Sequence, residues 1–266
     1  MTPVFFGFLL HASLGLLLAL PLVDERAGVK FFKFCSAAAA FMIAAALGLA
    51  YRRYGAAAGP PGLAGEAYPA LLALTAACFV AIVLYNRARH FGWRRATGPL
   101  LAAALLLGAL TLPLQALPGQ RALWLASDLT SISLLGAAAA AMILGHWYLV
   151  VLDLPISALR RLTLMLAVSL ALRAVVVGLV LLGPAQVGIE EAGLVARGLW
   201  SPDGVFVWMR LLFGILGPLS LIGFIWKTVE IRSTQSATGI LYVELFLVMS
   251  GELLAKYLRA VAGLPL

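Results

Sequence analysis

Three consecutive stretches decide the fold: VFVWMRLLFGILGPLSLIGFIW at residues 205–226, KTVEIRSTQSATG at 227–239, and ILYVELFLVMSGELLAKYLRAVAG at 240–263. The first and third are apolar and long enough to cross a bilayer, because a transmembrane helix needs about 20 residues. The first contains the ionisable residue Arg210, and the third contains Glu244, Glu252 and Lys256. Such a group costs roughly 2.5 to 3.5 kcal/mol at the centre of a membrane helix, so we expect each one to have a partner or a function.

The composition of the whole chain agrees with these two segments. Of 266 residues, 63% are hydrophobic and only 11% are charged, and the mean hydropathy is +1.04. Soluble domains contain about 25% charged residues. The chain is therefore predicted to be an all-α integral membrane protein, with residues 1–266 forming a single transmembrane helical domain. The net charge of +8 does not indicate nucleic-acid binding, because the basic residues lie mainly in short loops.

The hydropathy pattern predicts an eight-transmembrane-helix bundle. The expected spans are approximately 3–23, 30–51, 67–88, 97–117, 122–150, 159–183, 204–227 and 238–261. No segment shows the alternation that a membrane β-barrel requires. Pro113, Pro118 and Pro218 are expected to kink their spans, and FGILGPLSLIG at 213–223 is a candidate break in the seventh.

Loop charges predict the orientation of the bundle. The odd-numbered loops contain eleven lysines and arginines, whereas the even-numbered loops and the C-terminal end contain six. Cytoplasmic loops carry the excess of basic residues, so we expect both termini outside, an N-out/C-out topology. The longest external loop, residues 184–204, includes VGIEEAGLVARGLW at 187–200. This segment is expected to be a short interfacial helix, a lid, a partner-docking surface or a solvated connector.

The polar residues within the predicted spans are distributed unevenly. Six ionisable groups fall in the outer half of the bundle: His11, Asp128, Arg173, Arg210, Glu252 and Lys256. Because unpaired charges in hydrocarbon are costly, we expect these groups to face inward and to pair. Arg210 is predicted to pair with Glu252, since consecutive antiparallel helices usually pack together. Asp128 is predicted to pair with Arg173 or Lys256. A set of purely structural ion pairs is the alternative.

The three histidines are poorly placed to ligate haem. His90 lies in a basic loop, and His11 and His146 are predicted to lie toward opposite membrane faces. One haem needs two axial ligands at one depth, so we expect no haem, and the chain offers no iron–sulfur ligands. His11 suits proton exchange, or a hydrogen bond to a quinone carbonyl, because its unperturbed pKa lies near neutrality. A satisfied bundle residue is the alternative.

The second half of the chain resembles a known group. Its motifs are GHWYL at 145–149, DLPISALRRL at 153–162, VWMRLLFG at 207–214 and LVMSGELLAKYL at 247–258. They resemble the eight-helix membrane-anchor subunits of molybdopterin oxidoreductases, of the dimethyl sulfoxide reductase anchor and polysulfide reductase (NrfD-like) type. The resemblance implies both termini outside, a quinol site near the outer face, and electron transfer to an iron–sulfur partner. The family's histidine in the loop after the second span is absent from GLAYRRYGAAAGPP at 48–61.

These observations favour a multi-pass subunit of a respiratory oxidoreductase in the bacterial inner membrane. It would bind a quinone, menaquinone or ubiquinone, through His11, with Asp128 and Glu252 passing protons outward. Arg173, Arg210 and Lys256 would hold the carboxylates charged. Membrane lipids and an iron–sulfur or cytochrome subunit are the expected partners. A transporter or proton-translocating protein is the main alternative, and a lipid-modifying enzyme or a structural subunit are the others.

Overall fold

The computed structural model describes residues 1–55, 67–115, 121–151, 154–182 and 204–266. Within these ranges, eight helices are long and apolar enough to cross a membrane and no strand occurs, which confirms the predicted all-helical chain with eight candidate spans. They are α1 (Thr2–Ala19), α2 (Gly28–Tyr54), α3 (Ala67–Phe91), α4 (Arg94–Ala109, continued by a short helix at Leu112–Gln115), α5 (Arg121–Tyr148), α6 (Ser157–Leu182), α7 (Val205–Glu230) and α8 (Thr234–Ala262).

The helices show an apolar outer surface, as a membrane protein requires. On α6, Leu172, Val175 and Leu179 recur at helical spacing and are each more than half exposed. On another face of the same helix, Leu166 and Val177 are almost fully buried. A helix that is apolar on both its buried and its exposed faces is suited to hydrocarbon and not to water. The chain is therefore a multi-pass membrane protein.

Helices α1 and α5 form the centre of the bundle, and their spans are the most buried. α1 packs against α2 and α5, and α5 also contacts α6 and α8, while α7 packs between α6 and α8. The close approach of α1 and α5 depends on two glycines. A Cβ atom added to Gly15 would collide with the backbone of Ile132 and Gly136, and one added to Gly136 would collide with Gly15. Small residues at such contacts are typical of membrane helix packing.

Two of the three prolines alter helices in the described residues, because proline has no N–H group to donate and its ring clashes with the carbonyl four residues earlier. α4 ends at Ala109, four residues before Pro113, whose ring would clash with that carbonyl in a continuous helix. In α7 the chain does not break, contrary to the candidate break at 213–223. Instead, Leu212–Leu216 is a π-helical turn, and the N–H of Gly217 donates to the carbonyl of Leu212 immediately before Pro218. Pro118 lies outside the described residues.

The two ends of the bundle are distinguished by which helices begin and end there. We call the end where α1 begins and α8 ends the N-terminal face, and the other end the opposite face. α3, α5 and α7 also begin at the N-terminal face because consecutive spans alternate in direction. The interfacial-helix prediction for residues 187–200 lies outside the described residues.

Candidate functional site

The carboxylate of Glu252 on α8 is the centre of a buried group of charged side chains. Arg173 of α6 donates to both of its oxygens, with Nε to Oε1 at 2.9 Å and Nη2 to Oε2 at 3.0 Å. Arg210 of α7 donates from Nη2 to Oε1 at 2.7 Å, and Ser131 of α5 donates to Oε2 at 2.6 Å. One carboxylate therefore joins four helices, and it forms ion pairs with two guanidinium groups that are 0% exposed.

Arg173 is saturated with hydrogen bonds. Besides Glu252, its Nη1 donates to the main-chain and side-chain oxygens of Ser127 at 2.7 and 2.8 Å and to the Thr130 hydroxyl at 3.3 Å. Its Nη2 also donates to the main-chain oxygen of Leu266 at 2.8 Å. A buried guanidinium is tolerated when its donors are paired in this way. Arg173 thus fixes α5, α6 and the segment after α8 relative to one another.

Asp128 on α5 forms the second acidic centre. Its Oδ1 accepts a hydrogen bond from Arg259, and the Nζ of Lys256 lies 3.6 Å from the same atom. Arg259 also stacks its guanidinium over the ring of Trp124, 4.1 Å from the centroid. The other oxygen, Oδ2, is buried and has no hydrogen-bond partner in the described residues. Asp128 is therefore only half satisfied, in contrast to Glu252.

His11 on α1 connects the two acidic centres. Its Nδ1 lies 3.1 Å from the Ser131 hydroxyl, and its Nε2 lies 3.7 Å from Oδ1 of Asp128. Ser131 has a single proton, which it gives to the Glu252 carboxylate, so the hydroxyl oxygen must accept from His11 Nδ1–H. This arrangement leaves Nε2 as the ring atom that can gain or lose a proton. Nε2 faces the Asp128 carboxylate, whose other oxygen has no hydrogen-bond partner in the described residues.

Arg210 occupies space that two glycines provide. A Cβ atom added at Gly214 would overlap Arg210 Nη1, and one at Gly251 would lie within 2.9 Å of the same atom as well as against the Gly214 backbone. The π-helical turn of α7 carries Gly214 against α8 at this level. Nε and Nη1 of Arg210 are buried and have no hydrogen-bond partner in the part of the chain that is described.

All six predicted site residues come together, and each is at most 5% exposed. The predicted ion pairs between Arg210 and Glu252 and between Asp128 and Lys256 are present. The alternative pairing of Asp128 with Arg173 is wrong, because Arg173 binds Glu252 instead. We call this assembly the polar cluster: His11, Asp128, Ser131, Arg173, Arg210, Glu252, Lys256 and Arg259. Its functional role stays a prediction.

Two members of the polar cluster were not predicted from the sequence. Arg259 was counted only among the six basic residues of the even-numbered loops and the C-terminal end, yet its side chain extends into the bundle and is only 14% exposed. The sequence spacing could have indicated that Arg259 belongs to the cluster, because it follows Glu252 by seven residues and Lys256 by three, on one helix face. Ser131 has no comparable signal, since a hydroxyl group hardly alters hydropathy.

His11 and His146 lie far apart. His11 contacts Ser131, and His146 follows Ser131 by fifteen residues on α5, a rise of about 22 Å. Its Nδ1 lies 3.5 Å from the Tyr242 hydroxyl, toward the opposite face. These two histidines cannot ligate one haem iron in this arrangement. Among the described residues, no group of three or more histidine, cysteine or acidic side chains is placed to hold a metal ion.

The fold and the polar cluster together define a class: a multi-pass helical membrane protein whose helices are joined by a buried ion-pair network. No protein-family model, no curated protein and no solved structure matches the chain. The functional interpretation therefore depends on the geometry of the chain itself.

Proposed function

We propose that the protein is a quinone-interacting membrane-anchor subunit of a bacterial respiratory oxidoreductase, located in the inner membrane. The observation that carries the proposal is the arrangement of His11. Its Nδ1 is held by Ser131, which fixes the ring, and its Nε2 faces the half-satisfied Asp128. A fixed imidazole next to a carboxylate can exchange a proton at one defined atom.

The donors of the polar cluster fit a quinone headgroup. A quinone presents carbonyl oxygens, which accept hydrogen bonds, and it supplies two-electron, two-proton chemistry when it is bound. The buried N–H groups of Arg210 at Nε and Nη1 have no partner in the described residues, and Lys256 brings a further cationic donor. In this role His11 would hold or release a proton at Nε2, and Asp128 would accept it. Arg173 and Glu252 would keep the surrounding helices in place.

Access to the polar cluster is from the N-terminal face in this proposal. Lys256 and Arg259 are its most exposed members, at 5% and 14%, and both lie in the last two turns of α8. A headgroup reaching His11 therefore requires these long side chains to move. The excess of basic residues in the odd-numbered loops supports an external N-terminal face. An iron–sulfur or cytochrome subunit docked on that side is the proposed electron-transfer partner.

The direct test is quenching of the fluorescence of a quinol analogue by the purified protein. We expect saturable binding, and His11→Leu is expected to weaken it about 2- to 10-fold, the equivalent of one hydrogen bond. The matched control is His90→Leu, because His90 is exposed on α3 and pairs with Lys33 toward the opposite face. Absence of binding, or equal loss in the two variants, would contradict the proposal.

One observation favours the transporter alternative. Transporter sites are often formed where a membrane helix is irregular, and π-helical turns are frequent at functional sites. The π-helical turn at Leu212–Leu216 begins two residues after Arg210. Substrate counterflow in proteoliposomes that contain this chain alone would support transport. Co-purification of a redox subunit in mild detergent, with the absorption spectrum of its centre, would support the respiratory role.

A further inference from the structure

Glu244 differs from every other buried carboxyl group in the described residues. It is 0% exposed, and neither of its side-chain oxygens has a hydrogen-bond partner there. Asp128 and Glu252, by contrast, are both ion-paired with basic side chains. Burying an unpaired carboxylate in an apolar medium is so costly that the group takes up a proton instead. We therefore expect Glu244 to be a carboxylic acid and not a carboxylate.

The helices packed against α8 present apolar residues at the level of Glu244. Ser131 of α5 contacts Glu252, and Gly145 lies against Leu241, so Ala140 and Ala141 of α5 lie at the height of Glu244. Both alanines are fully buried. On α7, Gly217 lies against Leu247, which places Leu221 near the same level. The surroundings of Glu244 therefore supply no charge to balance an ionised carboxyl group.

The nearest ionisable groups along these packed helices lie further toward either face. His146 on α5 and Lys227 and Glu230 on α7 are on the side of the opposite face. α1 carries none between His11 and its end at Ala19. None of these groups forms an ion pair or hydrogen bond with Glu244 in the described residues. On α8 itself, Glu252 lies eight residues further on, about 12 Å along the axis.

Glu244 also lies on the buried stripe of α8 that runs toward the opposite face. The stripe continues through Leu241 to Thr238, whose hydroxyl donates to the carbonyl of Thr234 in the first turn. In the other direction it passes Val248 and reaches the level of the polar cluster at Gly251. Glu244 is thus an isolated protonatable group between the opposite face and the polar cluster.

We propose that Glu244 is a proton-binding site through which protons enter the bundle from the opposite face. The carboxyl group releases its proton toward the polar cluster, and the transient carboxylate is reprotonated from the opposite side past Thr238. Val248 lies between Glu244 and Glu252 on α8, so a proton passes between the two carboxyl groups only when the intervening side chains move. This role does not depend on a quinone, and it is separate from the function proposed above.

The protonation state of Glu244 is tested on unsubstituted protein in lipid nanodiscs. Infrared spectroscopy is expected to show the carbonyl stretching band of a protonated carboxyl group, shifted in D2O and missing in Glu244→Gln. Dicyclohexylcarbodiimide, which adds to protonated carboxyl groups, is expected to label Glu244 and not the ion-paired Glu252. A band that does not respond to D2O, or labelling of Glu252 without Glu244, would overturn the assignment.

Proton entry is tested in proteoliposomes with a trapped pH indicator and an imposed potassium diffusion potential. We expect Glu244→Gln to lower the proton flux at least tenfold and Glu244→Asp to retain part of it. The control Glu230→Gln, at an exposed position near the end of α7, is expected to keep the full flux. Quinol-analogue binding by Glu244→Gln is expected to be unchanged. Flux equal to that of empty liposomes, or unaffected by Glu244→Gln, would refute the role of Glu244 in proton entry.

Discussion

The substitution Glu252→Gln tests the central claim that one carboxylate is the shared counter-charge of two buried guanidinium groups. Glutamine keeps the size and an oxygen acceptor, but it removes the negative charge. Arg173 and Arg210, both 0% exposed, would then be buried without their counter-charge. Removing one partner of a buried ion pair costs about 3 to 5 kcal/mol. Because two cations depend on Glu252, we expect a loss near the upper end of this range.

Denaturant titration in mild detergent, followed by tryptophan fluorescence, measures this loss. The stability of folded domains is about 5 to 15 kcal/mol, so a loss of this size removes much of it. Glu230→Gln is the matched control, since Glu230 is exposed and the change is expected to stay within about 0.5 kcal/mol. A Glu252→Gln protein as stable as this control would refute the reasoning.

A second variant separates lost charge from lost packing. Adding Arg210→Met to Glu252→Gln removes one of the two uncompensated cations and keeps an apolar side chain of similar length. The stability losses caused by substitutions at neighbouring residues of one network deviate from additivity by about 0.5 to 3 kcal/mol. We expect the double variant to be more stable than Glu252→Gln alone. If the stability loss of the double variant equals the sum of the losses of Glu252→Gln and Arg210→Met, Glu252 does not act on Arg210 through its charge.

The helix packing and the loop charges give two more predictions. Gly251→Ala is expected to destabilise the protein by about 1 to 3 kcal/mol or more in the same titration, because its Cβ would collide with Gly214. The control Gly223→Ala is expected to be neutral or stabilising, because its Cβ meets nothing within 4 Å. Equal effects of the two substitutions on stability would contradict this account. The cysteine of Arg95→Cys is expected to react with an impermeant thiol reagent only after cells are opened, whereas the cysteine of Arg53→Cys is expected to react in intact cells. The reverse pattern of labelling would show that the topology is inverted.

The spans were predictable because hydropathy is a local property of the chain. The pairing of Arg210 with Glu252 was also predictable, since α7 and α8 are consecutive and antiparallel. The partner of Arg173 was not, because α6 and α8 are not consecutive and their lateral arrangement depends on the whole bundle. Similarly, the pairing of Arg259 with Asp128 was not predicted, because its long side chain extends inward from a position near the helix end.

The irregular turn of α7 shows a different limit of sequence reasoning. Pro218 indicated that something must happen in this span, because its nitrogen cannot donate to a carbonyl one turn earlier. Whether the helix breaks, kinks or adopts a π turn depends on the neighbouring helix. Here the π turn places Gly214 against Gly251, and the glycines leave room for the Arg210 guanidinium. The contact with α8 thus selects one of the conformations that the sequence permits.

The hydrogen bonding of the polar cluster separates a structural part from a reactive part. A purely structural clamp is expected to satisfy all of its buried polar groups. Arg173 and Glu252 meet this expectation, but Asp128 Oδ2 and two nitrogens of Arg210 have no partner in the part of the chain that the structure describes. The link from His11 through Ser131 to Glu252 has an unsatisfied group at each end. Asp128 lies next to His11, and Arg210 donates to Glu252. In the function proposed above, the saturated ion pair between Arg173 and Glu252 would hold the helices in place while the His11–Asp128 side exchanges protons.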